Sequence, residues 1–222
     1  MPAWLGLPVC LYYAARPGNV GVVMVQALAG GAPRLVSKGR PGASFTPSDV
    51  STDGRWLAGA LGGAGQSLLA FMVIADGTMV PMSELGLAAP TFSPDGGWLA
   101  YALSTAGRHE IFVRTVPKEA GGPATPEKKQ VSLEGGQFPV WRADGKEIVY
   151  RAPGGMLMSV AVDTSRGTLQ LGKPTPLFPL DSTTTGFDLA ADGSRILVNR
   201  PVADTSEPPV TVIVNWPTLL KK

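Results

Sequence analysis

The sequence predicts an all-β fold, a β-propeller of four-stranded blades, on three observations. Asp-Gly pairs recur at Asp53-Gly54, Asp95-Gly96, Asp144-Gly145 and Asp192-Gly193, at spacings of 42, 49 and 48 residues. Apolar residues stand at fixed offsets around every pair: Val50, Phe92, Trp141 and Leu189 three before the Asp, and Leu57, Leu99, Ile148 and Ile196 four after it. The chain holds 28 Gly and 21 Pro with no Gly-X-Y period, so it is rich in turns and too rich in proline for long helices. An Asp-Gly between apolar runs signals a hairpin, because Gly takes φ > 0 at no steric cost. Four strands in about 45 residues are the size of one blade. A sandwich would space its strands without this longer period.

The elements follow in order. Leu11 to Ala14, Val20 to Leu28 and Pro33 to Val36 match the later strands of a first, partial blade, 1–40. The Asp53 hairpin, Ser67 to Ala75 and Thr78 to Met82 fill a blade at 41–85, with Asp76-Gly77 as an ordinary hairpin turn off the main period. The Asp95 hairpin, Glu110 to Val116 and Gln130 to Leu133 fill 86–136. The Asp144 hairpin, Met156 to Val162 and Thr175 to Leu180 fill 137–181. A last, partial blade, 182–222, holds the Asp192 hairpin and Val210 to Trp216. Residues 1–222 thus read as one propeller domain of three clear and two partial blades, closed as five or part of a larger ring. Met1 falls inside a blade, which also fits a piece of a longer reading frame.

Composition narrows the function classes. Apolar residues make up 44% of the chain, enough for a core and too many for disorder. A net charge of +2 is too weak for a nucleic-acid binder. Lys128-Lys129 and Lys221-Lys222 read as solvated loop and tail. Cys10 admits no internal disulfide and reads as a small buried hydrophobe. The apolar N-terminus lacks the preceding basic residues of a secretory signal, and no run reaches about 18 apolar residues, so neither a leader nor a membrane span is expected. The compartment stays open.

The chemistry-bearing residues are few. One Cys and one His cannot build a zinc site, and the repeated Asp residues read as turn caps, so no metal and no cofactor is expected. No Gly-X-Ser-X-Gly occurs, and His109 precedes an apolar strand, so no hydrolase triad is expected. Gly59 to Gly65 lacks the Lys-Ser or Lys-Thr of a phosphate loop and reads as a hairpin tip. Asp49 and Asp188 stand four residues before their marker Asp, on the expected innermost strands, and are the candidates for a ligand site facing the channel. Thr91 and Val140 hold that position in the other blades, so there is no ring of acids.

Phe92-Ser93-Pro94-Asp95-Gly96-Gly97-Trp98-Leu99-Ala100-Tyr101 resembles the WD40-like repeat of TolB-type propellers, and Val50 to Ala58 and Trp141 to Tyr150 are looser copies. Phe187 to Pro201, Thr211 to Trp216 and the Leu-Leu-Lys-Lys tail, with Met156 to Val160 leading into Pro176-Leu177-Phe178, are similar to the C-terminus of bacterial eukaryotic-like serine/threonine kinases, in which a propeller follows the kinase domain. The chain has no Gly-rich loop with a strand Lys, no His-Arg-Asp and no Asp-Phe-Gly, so kinase activity carries over to no residue here. The resemblance implies a sensing or interaction module for a protein or small-ligand partner, beside a linked kinase in the full-length protein. The competing expectation is a glycosidase-type enzyme using Asp49 and Asp188.

Overall fold

The computed structural model describes residues 10–15, 20–39, 42–63, 66–85, 89–105, 107–119, 127–199 and 201. The expected strand Val210 to Trp216 and the Lys221-Lys222 tail lie outside these residues, as does the tip of the Gly59 to Gly65 hairpin. The fold is an all-β propeller arc. Blade one holds β1 (Cys10–Ala15), β2 (Val22–Ala27) and β3 (Arg34–Ser37). Blade two holds β4 (Ala43–Val50), β5 (Trp56–Gly63), β6 (Gln66–Val73) and β7 (Met79–Leu85). Blade three holds β8 (Thr91–Phe92), β9 (Trp98–Thr105), β10 (Arg108–Thr115) and β11 (Lys128–Gln130). Blade four holds β12 (Gln137–Trp141), β13 (Glu147–Arg151) and β14 (Met156–Asp163), with β15 (Gln170–Leu171) and β16 (Thr175–Pro179) both on the outer edge of β14. Blade five holds β17 (Gly186–Leu189) and β18 (Ile196–Asn199).

Each inner hairpin closes through its Asp-Gly turn. Gly54, Gly96, Gly145 and Gly193 all take φ between 67° and 72°, a region only Gly occupies freely. Their N–H groups bond the carbonyls of Ser51, Ser93, Arg142 and Ala190 at 2.8–2.9 Å. The same register follows in every copy: Val50 pairs with Leu57, Phe92 with Leu99, Trp141 with Ile148 and Leu189 with Ile196. The positions that are apolar in all four copies are therefore direct cross-strand partners.

Side chains alternate across a strand, and here both faces of a blade are buried. In blade two, Leu57, Ala70 and Met72 join Val23, Val25 and Val36 of blade one, while Trp56, Ala58, Leu69 and Phe71 join Phe92, Leu99 and Tyr101 of blade three. The other face of blade three, with Trp98, Ala100, Ile111 and Val113, packs on Trp141, Ile148, Tyr150 and Val160 of blade four. Val149 and Leu157 of blade four then meet Phe187, Leu189, Ile196 and Val198 of blade five. Among the described residues, no strand of blade five packs closely against blade one.

Two outer strands differ from expectation. Lys128-Lys129, read as a solvated loop, forms β11: the Lys128 ammonium lies 4.5 Å from the Phe112 ring centroid, and Lys129 Nζ donates to the Leu169 carbonyl. Lysine suits an edge strand, where its stem covers apolar surface and its charge discourages further pairing. The fourth strand of blade four begins earlier than Thr175 and is broken at Gly172-Lys173-Pro174, with Gly172 N–H still bonding Ala161 O at 2.8 Å. Its three prolines fit an edge that needs no further donors.

Gly59 lets β4 and β5 approach closely. A Cβ there would lie 2.3 Å from Thr46 O and 2.7 Å from Phe45 Cζ, whereas one at Gly62 would meet Ser44 Oγ at 3.3 Å and Ser44 O at 3.8 Å. Overpacking of this kind costs roughly 1–3 kcal/mol. Urea unfolding should show Gly59→Ala destabilised by about that amount and Gly62→Ala clearly less; equal midpoints would contradict the close approach.

Candidate functional site

The turn motif carries a side-chain network that varies from blade to blade. In blade two, Ser51 Oγ donates to Asp53 Oδ1 (2.6 Å) and accepts from Trp56 N–H (2.9 Å), while Arg55 N–H bonds the same carboxylate at 3.0 Å. Blade three repeats this with Ser93, Asp95, Gly97 and Trp98. In blade four Arg142 replaces the serine and grips Asp144 with Nε and a terminal nitrogen, both at 2.8 Å, while a second terminal nitrogen reaches Glu147 Oε2 at 2.5 Å. In blade five Ala190 stands there, and Asp192 accepts hydrogen bonds from the Ser194 N–H and side chain. The Arg142 fork holds the Asp144 carboxyl at about 2. Burial pushes Asp53 up, but the hydrogen bonds from Ser51 and Arg55 outweigh it and leave that carboxyl below its ordinary value.

Asp49 and Asp188 occupy equivalent positions, opposite Ala58 and Leu197. The half-buried Asp49 carboxylate is held by its own strand and by the next blade. Its Oδ1 accepts from Val50 N–H at 2.8 Å, and its Oδ2 accepts from Phe92 N–H at 2.7 Å and Thr91 Oγ1 at 3.2 Å in the next blade. A bulge in β4 between Pro47 and Asp49 accompanies this turn of the side chain, and β12 carries a bulge at the matching place, with Phe138 at φ 54°. Burial pushes the Asp49 carboxyl above the ordinary carboxylate range, against the hydrogen bonds from Phe92, Val50 and Thr91. Asp188 is exposed and accepts from Leu189 N–H at 2.8 Å. It lies three blades along the arc from Asp49, and β4 and β17 do not pack together.

A groove of about 380 Å³ opens between the turns of blades three and four, and sequence reasoning did not single it out. The Asp95 turn forms one wall, the Asp144-Gly145-Lys146 turn the other, Trp141 lines the space between them, and the turn Asp163-Thr164-Ser165 after β14 closes one end. Asp95 and Asp163 each use Oδ1 to accept a backbone N–H two residues on, from Gly97 and Ser165, and the Ser165 hydroxyl also bonds the Asp163 carboxylate and, with the backbone N–H, holds it below its ordinary value. The signal available in the sequence was the short polar run Asp163-Thr164-Ser165, which favours a turn that caps its own backbone. The groove holds hydrogen-bonding groups but no assembled nucleophile and base. His109 pairs with Ser104, at the far end of β9 from the Asp95 turn, so no Ser-His-Asp set forms with Ser93. Among the described residues no three His, Cys, Asp or Glu side chains form a metal-holding group, and no helix is long and apolar enough to cross a membrane.

No family model and no curated protein sequence matches the chain. Solved structures do. TolB from Acinetobacter baumannii aligns at 18% identity and a TM-score of 0.57, over 87% of this chain and 52% of that one. A periplasmic gluconolactonase from Pseudomonas aeruginosa aligns at 18% and 0.53, over 85% and 59%. The β-propeller domain of Cps50 (Swd1) from Myceliophteria thermophila aligns at 15% and 0.51, over 92% and 68%. The fold is a β-propeller, similar to those of TolB and Cps50. The chain spans about half the length of that TolB chain.

The Asp49 geometry has a signed consequence for pH. A folded carboxyl above its ordinary value makes the folded state bind the proton more tightly than the unfolded chain, so this contribution to stability is full below about pH 4 and is lost as pH rises through the folded value. Asp53, Asp144, Asp163 and Asp192 lie below their ordinary value and act in the opposite sense, so the comparison must be between variants. The melting temperature of Asp49→Asn minus that of the unsubstituted protein should rise as pH is raised from about 4 towards neutrality. A difference independent of pH would contradict the buried, ionisable clamp.

Proposed function

We propose that this chain is a non-catalytic β-propeller binding module whose recognition site is the groove between blades three and four. The observation that carries the reading is the pair of carboxylates, Asp95 and Asp163, each fixed through Oδ1 by a backbone hydrogen bond at a groove lined by Trp141. Ordered acceptors on a rigid scaffold lose little conformational freedom when they bind. Two such acceptors beside an aromatic ring suit a peptide segment carrying a Lys or Arg side chain, with Lys146 at the rim selecting for a neighbouring acceptor. The partner class is therefore a protein, bound through an exposed basic loop or tail.

An enzyme reading needs free carboxylates at Asp49 and Asp188. The three hydrogen bonds that occupy Asp49 weigh against it. Linkage to a kinase rests on the sequence resemblance of residues 155–222. If the module accompanies such a domain, an antibody against this chain should detect in the source cell a product much larger than 23.1 kDa. A product of that size alone would remove the linkage.

The groove is tested on a peptide array of basic, neutral and acidic sequences. Basic peptides should bind, and Asp163→Ala should weaken them about tenfold, the scale of one charge-assisted hydrogen bond, with the melting temperature nearly unchanged because Asp163 is exposed. Equal binding by Asp163→Ala, or preference for acidic peptides, would refute the site.

A further inference from the structure

At the junction between blades two and three, one side chain of the molecule reaches across from turn to turn. Arg55 stands two residues after Asp53; its N–H bonds Asp53 Oδ1 at 3.0 Å, and its carbonyl accepts the Ile74 N–H at 2.9 Å. The side chain leaves its own blade. Its Nη2 donates at 2.9 Å to the carbonyl of Lys118, in the segment after the third strand of blade three. Its charge also acts on the Asp53 carboxylate. One guanidinium thus serves the marker Asp of one blade and a backbone carbonyl of the next.

Gly97 holds the same position in blade three. Its N–H bonds Asp95 Oδ1 at 3.0 Å, and its carbonyl accepts the Val116 N–H at 3.0 Å. The facing wall is equivalent as well. Val162 N–H bonds Lys146 O as Val116 N–H bonds Gly97 O, so Thr164, two residues beyond Val162, corresponds to Lys118, two residues beyond Val116. The position that sends an arginine across the preceding junction therefore carries no side chain here, and a groove of about 380 Å³ opens with Asp95 and Thr164 in its walls. Asp95 is held as Asp53 is: the Ser93 hydroxyl and the Gly97 N–H both bond Oδ1, which leaves Oδ2 for another donor. Trp141, fixed by its indole N–H to Thr91 O at 3.2 Å, offers an apolar wall for the stem of a long side chain.

We propose that the groove between blades three and four is an arginine site, in which a side chain of the bound partner takes the place that Arg55 takes at the preceding junction, and that Gly97 is the residue that keeps it open. This rests on the reading of the groove as a recognition site for a basic segment and narrows it to one side chain. The guanidinium donates to Asp95 Oδ2 on one wall and to Thr164 O on the other, where the carbonyl keeps a lone pair beside the Gly167 N–H it already accepts. A planar fork of N–H donors serves both walls at once, whereas lysine centres its donors on a single, more strongly hydrated atom.

The peptide Gly-Ser-Gly-Arg-Gly-Ser-Gly and its lysine counterpart are titrated into the isotope-labelled chain, and backbone amide shifts are followed. The arginine peptide should shift Gly145, Thr164 and Ser165 saturably and bind about tenfold more tightly than the lysine peptide, the scale of one charge-assisted hydrogen bond. Gly97→Arg should abolish these shifts, because the installed side chain fills the groove from within. The backbone accepts it: Gly97 does not sit at positive φ, and a Cβ there would come no nearer than 3.5 Å to Asp95 Oδ1. Ser194→Arg, which adds the same charge at the equivalent position of blade five, should leave binding unchanged. Arg55→Ala should open the preceding junction and add a second set of saturable shifts, at Thr52 and Lys118, and it keeps the test decisive should Gly97→Arg fail to fold. Equal affinity for the two peptides, binding that survives Gly97→Arg, or no second set of shifts in Arg55→Ala would overturn the arginine assignment and leave recognition of a basic segment standing. No saturable shift with either peptide would overturn both.

Discussion

A one-residue slip in a hairpin exchanges its two faces. In this chain such a slip would carry Leu57, Leu99 and Ile148 out of one interblade core and into the next, and Ile196 onto an exposed face. The Asp-Gly turns prevent it. Each Gly sits at positive φ and closes the turn onto the residue two before the Asp, which leaves one register between the first and second strands. Because blades two, three and four are each sandwiched between neighbours, this register decides their upstream and downstream cores together. The later strands then add to an edge whose faces are already assigned.

That dependence explains what was legible in the sequence. Apolar residues three before and four after the Asp are direct cross-strand partners, so their recurrence reported a real contact, and the 42–49 residue spacing reported the blade. The outer strands were less legible, since an edge strand is packed less and its side chains follow no strict period. Lys128-Lys129 looked like a loop because charge was read as solvent exposure, whereas an edge strand tolerates and even favours lysine. Asp49 was legible as a candidate but not in its role. Position on the innermost strand suggested a channel, but pairing with Ala58 puts it on the side of the blade, against Thr91 and Phe92.

The polar chemistry lies where the repeat departs from its own pattern. Ser51 and Ser93 close their turns with a hydroxyl that satisfies both the Asp and a backbone N–H. Arg142 cannot do this, and instead draws Asp144 and Glu147 into an ion-paired cluster at the surface. The groove lies beside that substituted turn, and its acceptors come from turns that still cap their own backbone. At Asp95 capping uses one carboxylate oxygen and leaves the second available. A residue that reads as purely structural in sequence is thus half structural and half surface in the fold.

Asp49 and Asp188 show why equivalent positions in a repeat protein need not be equivalent groups. Both make the same local hydrogen bond, and both present a second oxygen downstream. In blade two the next blade removes water from that oxygen, and the cost of burial is offset by two donors, a hydroxyl and an N–H, so the carboxylate becomes an interblade clamp. Burying a carboxylate without those donors would be costly, and blades three and four, with Thr91 and Val140, avoid the requirement altogether. An Asp at this position therefore makes sense where a matching donor pair arrives or where water stays. In blade five water stays, and Leu197, which gains nothing from water, stands beside it.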